Sequence, residues 1–600
     1  MFEYLKNLAD RFILGRPPKE KPRPPTMARR ITNLMRNNFK GLIGTIVPII
    51  VLPWEFKRYS TSAKTGVMWK LMFWFLLVQP VNIPVSSLIP IFFLPLMGIM
   101  SSTKTCQCYM NENILLYLLS GMLLLLLSNA GFDRRLALWF LASGRARQYS
   151  PRMLLFKVCM AAFIMSMFCN RLLVTSILTQ HVNSAMAHMQ LYLKVKPTPK
   201  TKPKVKEVIH VNFEELRYIL NCAIQTSAGI GSIAIMHCTY TTVYFRAIFA
   251  ESSSKFEEYP DIFNYLQYSA FAYPVACTAI VLNLAYFMAI LTVVIKPQLP
   301  HRFLEELRKT FEKYRSKIPR ICSKHERLAI LFTMIYLICF FCRFSFFHTG
   351  WADYRMDEFS PTIARIKDAT TAAIFVLLLH TIPRSYGFLT YIDADRKSEL
   401  PPCKPESAIL FWRYVDTNTN YGYMFLFGSG IALQHAIRVS GLQRELGENL
   451  GALITNRPWF IGLLIVCVIS GVLCNIMPGV AACTLFCPFV LNMSVDAVLP
   501  WPIKSYVAAL GVGIGTAFGF CFPFRYTPAY FCHYTGRVPV LKMFIYSFPS
   551  VWICILTLWA YLVIYAPVIF DPEQEGILPA NAPLDSGGTT PKPEELMFQM

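Results

Sequence analysis

Long apolar stretches alternate with short polar segments along most of the chain. Five windows carry no formal charge, apart from Lys542 in the last, and each could cross the ~30 Å hydrocarbon core of a bilayer as a helix. They are apolar on every side rather than along one stripe, so a large soluble core is a poor explanation. We predict an all-α polytopic membrane protein with about eleven or twelve transmembrane segments or part-segments. The windows are 72–100, 114–132, 268–295, 459–495 and 538–570.

Charge supports a membrane topology rather than a nucleic-acid partner. Only 16% of the residues are charged and 54% are hydrophobic, while the formal net charge is +23. The basic residues cluster between apolar windows, in 1–40, 194–206 and 302–327. By the positive-inside rule these segments and the N-terminus are cytosolic. We therefore expect the bilayer, and no nucleic acid, as the large partner, with the plasma membrane favoured over an internal membrane.

Two segments outside the apolar windows have their own character. Within 302–327, apolar residues alternate with basic ones at helical spacing, which predicts an amphipathic helix on the inner leaflet. The last segment, 571–600, is rich in proline and acidic residues, so we expect it to be disordered.

Enzyme chemistry has little support. Most of the 18 cysteines lie in apolar windows, where a thiol behaves as a small hydrophobe, and the two closely spaced cysteine pairs lack a second ligand pair. The ten histidines are scattered, and no Walker loop, kinase motif set or G-x-S-x-G turn is present. We predict no catalytic residue, no metal site and no cofactor, so the protein is not expected to be an enzyme.

A weak internal repeat divides the chain. Ser120-Gly121 is followed by Arg135, and Ser429-Gly430 is followed at the same spacing by Arg444. Paired small-residue interruptions in two halves of a transporter point to its substrate site, because unwound backbone is tolerated in a bilayer only beside a cavity. This pattern predicts two inverted repeats with re-entrant hairpins near 113–138 and 421–446. The alternative is that the small pairs only allow close helix packing.

Motifs along most of the chain resemble one family. Residues 421–433 and 440–442 resemble the second re-entrant hairpin of the divalent anion:sodium symporter family, which contains the sodium-coupled di- and tricarboxylate and sulfate cotransporters. Further matches follow in family order at 93–99, 134–138, 367–376, 382–383 and 484–488. The resemblance implies transport of a small organic anion by an elevator motion of a hairpin-bearing domain against a dimerising scaffold, and hence a homodimer.

The ion-binding motifs of that family are altered in this chain. Where family members carry two Ser-Asn-Thr signatures, this sequence has Asn170-Arg171-Leu172 and Pro478-Gly479-Val480, with Cys474-Asn475 as the nearest polar pair to the second. The later Gly-Thr-x-Pro-Asn and Ala-Thr-Pro-Pro-Asn-Ala segments correspond to 239–242 and 525–530. Sodium needs several oxygen ligands, so weak or absent sodium coupling is expected.

Two arginines stand where the resemblance places uncharged residues. Arg171 and Arg525 have no acidic residue nearby in the sequence, and an arginine within a membrane costs at least ~2.5 kcal/mol on insertion scales. We hypothesise that they are fixed cations that replace sodium and hold carboxylates. Alternatively they reach an interface or pair with a distant acid such as Asp368. The candidate substrate-binding residues are Ser120, Gly121, Asn170, Arg171, Ser429, Gly430, Asn475, Arg525 and Thr527.

These inferences give a segmentation and a function. We predict a secondary transporter of organic di- and tricarboxylates similar to citrate or succinate, with a transport-inactive membrane scaffold or sensor as the alternative. The predicted segments are a cytosolic basic N-terminus (1–40), the first part of repeat one (41–192), a cytosolic Lys/Pro-rich loop (193–217), the end of repeat one (218–296), a cytosolic amphipathic linker (297–327), repeat two (328–570) and the acidic tail (571–600).

Overall fold

A computed structural model describes residues 27–55, 60–144, 149–195, 203–256, 262–295, 301–344, 350–352, 356–357, 360–364, 366–385, 407–442, 445, 458–492 and 505–570. Residues 1–26 of the predicted basic N-terminus, the predicted acidic tail (571–600) and Arg444 lie outside these ranges.

Helices dominate the described chain. The helices before the predicted linker are α1 (Met27–Glu55), α2 (Thr61–Val78), α3 (Ile83–Ser86), α4 (Ile89–Leu96), α5 (Ser102–Gln107), α6 (Glu112–Leu123), α7 (Leu126–Ala130), α8 (Phe132–Ala142), α9 (Pro151–Ser166), α10 (Arg171–Val195), α11 (Pro203–Ser232), α12 (Tyr240–Phe256) and α13 (Tyr265–Val294), with a 3₁₀ turn at Met236–Cys238. Those from the linker onward are α14 (His301–Ser316), α15 (Lys324–Phe341), α16 (Asp368–Thr381), α17 (Trp412–Asn418), α18 (Gly422–Ser440), α19 (Trp459–Ile476), α20 (Gly479–Asn492), α21 (Ser505–Gly515), α22 (Thr527–Tyr534), α23 (Val540–Ile564) and α24 (Ala566–Phe570).

The predicted helical class is confirmed, with one small departure from all-α. Between α15 and α16, β1 (Met356–Asp357) pairs antiparallel with β2 (Ser360–Ala364). This stretch contains Pro361, which cannot sit in a helix interior without losing a hydrogen bond.

The apolar windows become helices of two lengths. Among the described residues, those long and apolar enough to cross a membrane are Ser102–Ala130, which contains α5 to α7, Tyr265–Val294, Trp459–Ile476 and Val540–Ile564. Shorter apolar helices are Ile83–Leu96, Asp368–Thr381, Gly479–Leu491 and Tyr506–Gly515. The larger number of crossings in the sequence analysis stays a prediction.

The distribution of polar residues is that of a membrane protein. Large aliphatic side chains face outward, among them Val281 at 64% and Leu377 at 66% exposure. Amides lie inside instead: Asn283 donates to Thr226 Oγ1 (3.2 Å), and Gln225 donates to Ser547 Oγ (3.0 Å). Interhelical bonds of this kind hold helices together where the surroundings are as apolar as the core.

Two series of helices follow the same order. Each contains a helix with a Ser-Gly pair (α6 or α18), a helical hairpin (α9–α10 or α19–α20), a broken helix (α11–α12 or α21–α22) and a long helix with an internal proline (α13 or α23). The sequence offset that relates Ser120 to Ser429 also relates Asn170 to Gly479. Those two positions fall at the tips of the two hairpins.

The hairpin expected near 421–446 is wrong over the described residues. Gly422–Ser440 is one continuous helix, α18, which ends at Gly441 with positive φ. Near 113–138 the chain turns at 124–125 and at Gly131, but Ser120 and Gly121 lie inside α6 and mark neither turn. The short hairpin connections lie instead at 167–170 and 477–478.

The segment expected as a Lys/Pro-rich loop (193–217) is largely helical. Helix α10 continues to Val195, and α11 begins at Pro203. Proline is favoured in the first turn of a helix because its missing N–H would have no partner there. Of this segment, residues 196–202 lie outside the described residues.

The linker helix α14 is amphipathic and packs on protein. Leu307 and Phe311 are fully buried, and α14 contacts α8 and α10. Its apolar face is therefore covered by these helices rather than by the leaflet that the sequence suggested. Arg135 fixes the following turn: its Nε and Nη2 donate to the two carboxylate oxygens of Glu326 (2.9 Å each), and its Nη1 donates to Pro319 O (2.5 Å).

Candidate functional site

One cavity lies where the two hairpin tips meet the breaks in the two broken helices. Its volume is about 260 Å³, near the lower end of small-molecule sites. The polypeptide is non-helical or starts a helix at each of these places, so backbone groups as well as side chains face the cavity. The lining residues are Asn170 to Leu173, Cys238, Tyr240, Thr417, Asn418, Asn420, Tyr423, Pro478 to Val480 and Arg525 to Pro528.

The first hairpin tip is tied to the first broken helix. Asn170 donates through Nδ2 to Tyr240 Oη (3.1 Å), while its Oδ1 accepts from Leu172 N (2.9 Å) at the start of α10. Asn170 is 8% exposed and uses both ends of its amide within the protein. Its role here is to hold the tip that presents Arg171.

The second tip approaches the second break closely because of a glycine. A Cβ on Gly479 would lie 2.2 Å from Thr516 O, which no side chain tolerates. Asn475 joins the same two segments: its Oδ1 accepts from Cys521 N (2.9 Å), and its Nδ2 donates to Gly471 O (2.7 Å). Asn475 therefore supports the cavity wall without lining it.

Both arginines line this cavity. The Arg171 guanidinium lies over the Tyr526 ring, with its Cζ 5.0 Å from the ring centroid, and Arg525 lies 5.5 Å from the Phe524 centroid. Arg171 Nη1 and Arg525 Nε are buried and have no hydrogen-bond partner among the described residues. A cation on an aromatic face keeps its N–H groups available for an anion.

The charges around this cavity are of one sign. None of its described lining residues is acidic. Asp368, the distant partner considered in the sequence analysis, lies elsewhere: it is 2% exposed and pairs with Arg343 (2.5 Å) and Arg246 (3.6 Å). The interior of the cavity is therefore positive, as an anion site requires.

Besides Asn475, four predicted site residues lie outside the cavity. The Ser120 hydroxyl donates to Tyr117 O and the Ser429 hydroxyl to Leu426 O, so each is used within its own helix. Gly430 makes room for a neighbouring helix, because a Cβ there would lie 1.8 Å from Tyr244 Oη. Ser429 and Gly430 thus match the alternative that the small pair allows close helix packing. Gly121 does not, because a Cβ there would meet nothing within 4 Å. Thr527 lines the cavity and is exposed.

Sequence reasoning missed several lining residues. Tyr240 and Tyr526 fall in the altered motifs and Tyr423 in the expected second hairpin, and none of them is among the predicted site residues. Asn418 and Asn420 belong to the polar run 416–420 between two apolar stretches, and this run was the available signal. Asn420 O accepts from Tyr117 Oη (2.7 Å), which joins the run to α6.

A comparison with known proteins gives this cavity a family context. The family model described as "Citrate transporter" matches residues 72–513, which include both hairpin tips. The chain belongs to the citrate transporter family. It is similar to "Protein I'm not dead yet" of Drosophila melanogaster, with 24% identity over 94% of this chain and 95% of the relative. It is also similar to the "Na(+)/citrate cotransporter" of Rattus norvegicus (22%; 74% and 81%) and to the "Sodium-dependent high-affinity dicarboxylate transporter 3" of Caenorhabditis elegans (21%; 86% and 85%).

Membership of the citrate transporter family confirms the resemblance found in the sequence. Together with the apolar helices, it makes this chain an integral membrane protein of a family of carboxylate transporters. Arg525 lies beyond the matched range, whereas Arg171 lies within it.

Proposed function

We propose that the protein is a secondary transporter of organic di- and tricarboxylates, and that its substrate binds between Arg171 and Arg525. The observation that carries this proposal is one positive cavity lined by both arginines in a chain of the citrate transporter family. A guanidinium can hold a carboxylate through two parallel hydrogen bonds, so two arginines suit an anion with two or more carboxylates. Family membership favours transport over the transport-inactive alternative.

The proposed transport mechanism uses two inverted repeats whose hairpins α9–α10 and α19–α20 are re-entrant. The matching order of helices supports the inverted repeats, and the short length of α20 supports a re-entrant second hairpin. Helix α20 has 14 residues, about 21 Å at 1.5 Å per residue, which is short of the ~30 Å hydrocarbon core. Movement of the two hairpins with their broken helices would expose the cavity to each side in turn.

We further propose that sodium coupling is weak or absent. Leu172, Gly479 and Val480 offer no side-chain oxygen at the two tips, and the Asn170 amide is occupied by Tyr240 and Leu172. Fixed guanidinium groups would then balance the charge of the substrate in place of bound cations. Curated relatives are named as sodium-dependent, so this chain would differ from them.

Location and assembly are part of the same proposal. Basic clusters favour a cytosolic N-terminus with 193–217 and 297–327 on the same side, and we place the protein in the plasma membrane as a homodimer. Domain boundaries follow the sequence segmentation, except that repeat one resumes at Pro203.

Uptake of labelled citrate, succinate and sulfate into proteoliposomes tests the proposal. We expect saturable uptake of the carboxylates that changes little when the sodium gradient is removed. No uptake of any anion by monodisperse protein would contradict carboxylate transport, and steep, saturable activation by sodium would contradict the coupling proposal.

A further inference from the structure

A second, mainly apolar cavity lies behind the substrate cavity. It has a volume of about 460 Å³, and we call it the lateral groove. It is formed by the first hairpin tip, the break before α12, the first third of α13 and the ends of α15 and α23. Its lining residues are Met167, Phe168, Ala234, Ile235, Ser269, Ala270, Tyr273, Pro274, Phe341 and Tyr565.

One thin wall separates the lateral groove from the substrate cavity. Residues 167–168 and 234–235 face the groove, while 170–173 and 238 with 240 face the substrate cavity. Two hydrogen bonds join the two chain segments that form this wall. Cys238 Sγ donates to Met167 O (3.0 Å), and Asn170 Nδ2 donates to Tyr240 Oη (3.1 Å). An occupant of the groove would therefore contact the back of the segment that presents Arg171.

Two hydrogen-bonding groups lie within this apolar groove without their usual partners. Ser269 Oγ is buried and has no partner among the described residues. Pro274 has no N–H, so the carbonyl of Ala270, one turn earlier in α13, lacks its usual intrahelical donor. A hydroxyl group both donates and accepts, so one hydroxyl would satisfy both.

The groove opens at the outer face of the apolar helix α13 and carries no charge. Tyr273 at its edge is 53% exposed, and Val281 on the same helix is 64% exposed. None of its described lining residues is charged, so the groove offers nothing to a phosphate or a carboxylate. Ring side chains line much of it (Tyr273, Pro274, Phe341 and Tyr565), so its chemistry fits a neutral lipid with a flat ring system and a single hydroxyl.

We propose that the lateral groove binds a sterol, with the hydroxyl at Ser269 and the Ala270 carbonyl and the ring system against Ile235, Pro274 and Phe341. The bound sterol restrains the wall between the groove and the substrate cavity and slows turnover. The proposal that a sterol binds is argued from the groove alone. The proposed effect on turnover rests on the proposed transport function.

Photolabelling of the full chain tests the binding. The protein is reconstituted in phosphatidylcholine liposomes with a photoreactive cholesterol analogue, and we expect label in the peptide containing 269–274 that excess cholesterol removes. Ala270→Phe fills the groove and should abolish this label. Ala289→Phe, at an exposed alanine further along α13, should retain it. Equal labelling of both variants, or equal labelling of this peptide by a photoreactive phosphatidylcholine, would overturn the proposal.

Uptake measurements test the effect on transport. We expect cholesterol to lower the maximal rate of carboxylate uptake about fivefold, the lower end of typical allosteric couplings. Ser269→Ala, which removes only the hydroxyl, should keep the sterol-free rate and lose most of this inhibition. An unchanged rate on adding cholesterol would refute the regulatory part. Absence of uptake in every liposome would contradict the proposed function instead, and the photolabelling would still decide whether a sterol binds.

Discussion

Arg171 and Arg525 show what residue chemistry alone can predict. Their lack of a nearby acid marked them in the sequence, and the structure brings both to one cavity without an acidic residue among its described lining. The sequence could not identify Tyr526 as the ring beneath Arg171, because residues 171 and 526 meet only through the packing of α10 against α22. Nor could the sequence show that Asn475 bonds to the backbone of the cavity wall and does not line the cavity.

Substitution of either arginine tests its role in binding. We expect Arg171→Gln and Arg525→Gln each to reduce carboxylate uptake at least ~100-fold, because loss of a charged hydrogen-bonding partner in a buried site costs about 3 kcal/mol or more. Arg→Lys should restore part of the activity by keeping the charge.

Arg152→Gln is the matched control for these variants. Arg152 is exposed at the start of α9, on the same hairpin as Arg171, and its substitution should leave uptake unchanged. Normal uptake by Arg171→Gln or Arg525→Gln would remove these residues from the proposed site.

The Ser-Gly pairs illustrate where prediction from elements failed. The internal repeat predicts them at hairpin tips, yet both lie inside helices, and at α18 the small residues make room for Tyr244 of α12. The real tips carried signals as well: Pro478-Gly479 is a turn dipeptide, and Asn170 caps α10. These signals were masked because the flanking windows are apolar enough to read as continuous spans, and only the packed structure shows where each helix reverses.

A pair of glycine substitutions separates packing from helix propensity. We expect Gly430→Ala to lower the thermal stability and the folded yield, because its Cβ would lie 1.8 Å from Tyr244 Oη and 2.8 Å from Thr484 Cγ2. Gly121→Ala occupies the equivalent repeat position with no atom within 4 Å and should be neutral or stabilising by up to ~1 kcal/mol, since alanine favours a helix. Equal melting temperatures for the two variants, measured in the same detergent, would contradict this assignment.

The turn between α14 and α15 makes a pH-dependent contribution to stability. Burial raises the pKa of Glu326, but its hydrogen bonds with Arg135 and Ser323 outweigh burial, and the net shift is downward. A carboxyl group whose pKa is lowered on folding stabilises the protein above its unfolded pKa, about 4.3, and this stabilisation is lost as pH falls through the folded value.

We therefore expect Glu326→Gln to lower the melting temperature at neutral pH and to narrow its difference from the wild type as the solution is acidified. Melting curves of the purified wild type and variant, recorded from neutral pH down to below the unfolded pKa of about 4.3, measure this difference. A constant difference at all pH values would show that the pairing of Arg135 with Glu326 does not depend on the carboxylate charge.

At the scale of the whole molecule, family membership and membrane character were predictable because they depend on long apolar windows and on motif order. The lateral groove and the substrate cavity were not, because each collects residues from segments hundreds of positions apart. Both cavities share the wall formed by the first tip and the first break. A change on the groove side of this wall can therefore reach the substrate cavity directly. The sequence does not show this, because the groove joins residues as far apart as Met167 and Tyr565.

The positive charge of the substrate cavity predicts the mode of transport. An empty substrate cavity carries two guanidinium groups with no acid among the described lining residues, and moving it across the bilayer exposes both charges to a low dielectric. A bound dianion cancels this charge, so the loaded form should move far more easily than the empty one. Insertion of even one arginine costs ~2.5 to 3.5 kcal/mol, which corresponds to a rate difference on the order of 100-fold.

We therefore expect anion exchange to be much faster than net uptake. Proteoliposomes preloaded with unlabelled citrate or succinate should take up labelled substrate at least ~10-fold faster than vesicles loaded with buffer, because a factor of ten needs only ~1.4 kcal/mol of the difference between the loaded and empty forms. Exchange of an anion for an identical anion moves no net charge, so the rate of such exchange should not respond to an imposed membrane potential. Protein-free vesicles control for leakage. Equal initial rates into preloaded and buffer-loaded vesicles would mean that the empty cavity crosses freely, and hence that the two guanidinium groups are neutralised by a group other than the substrate during the return step.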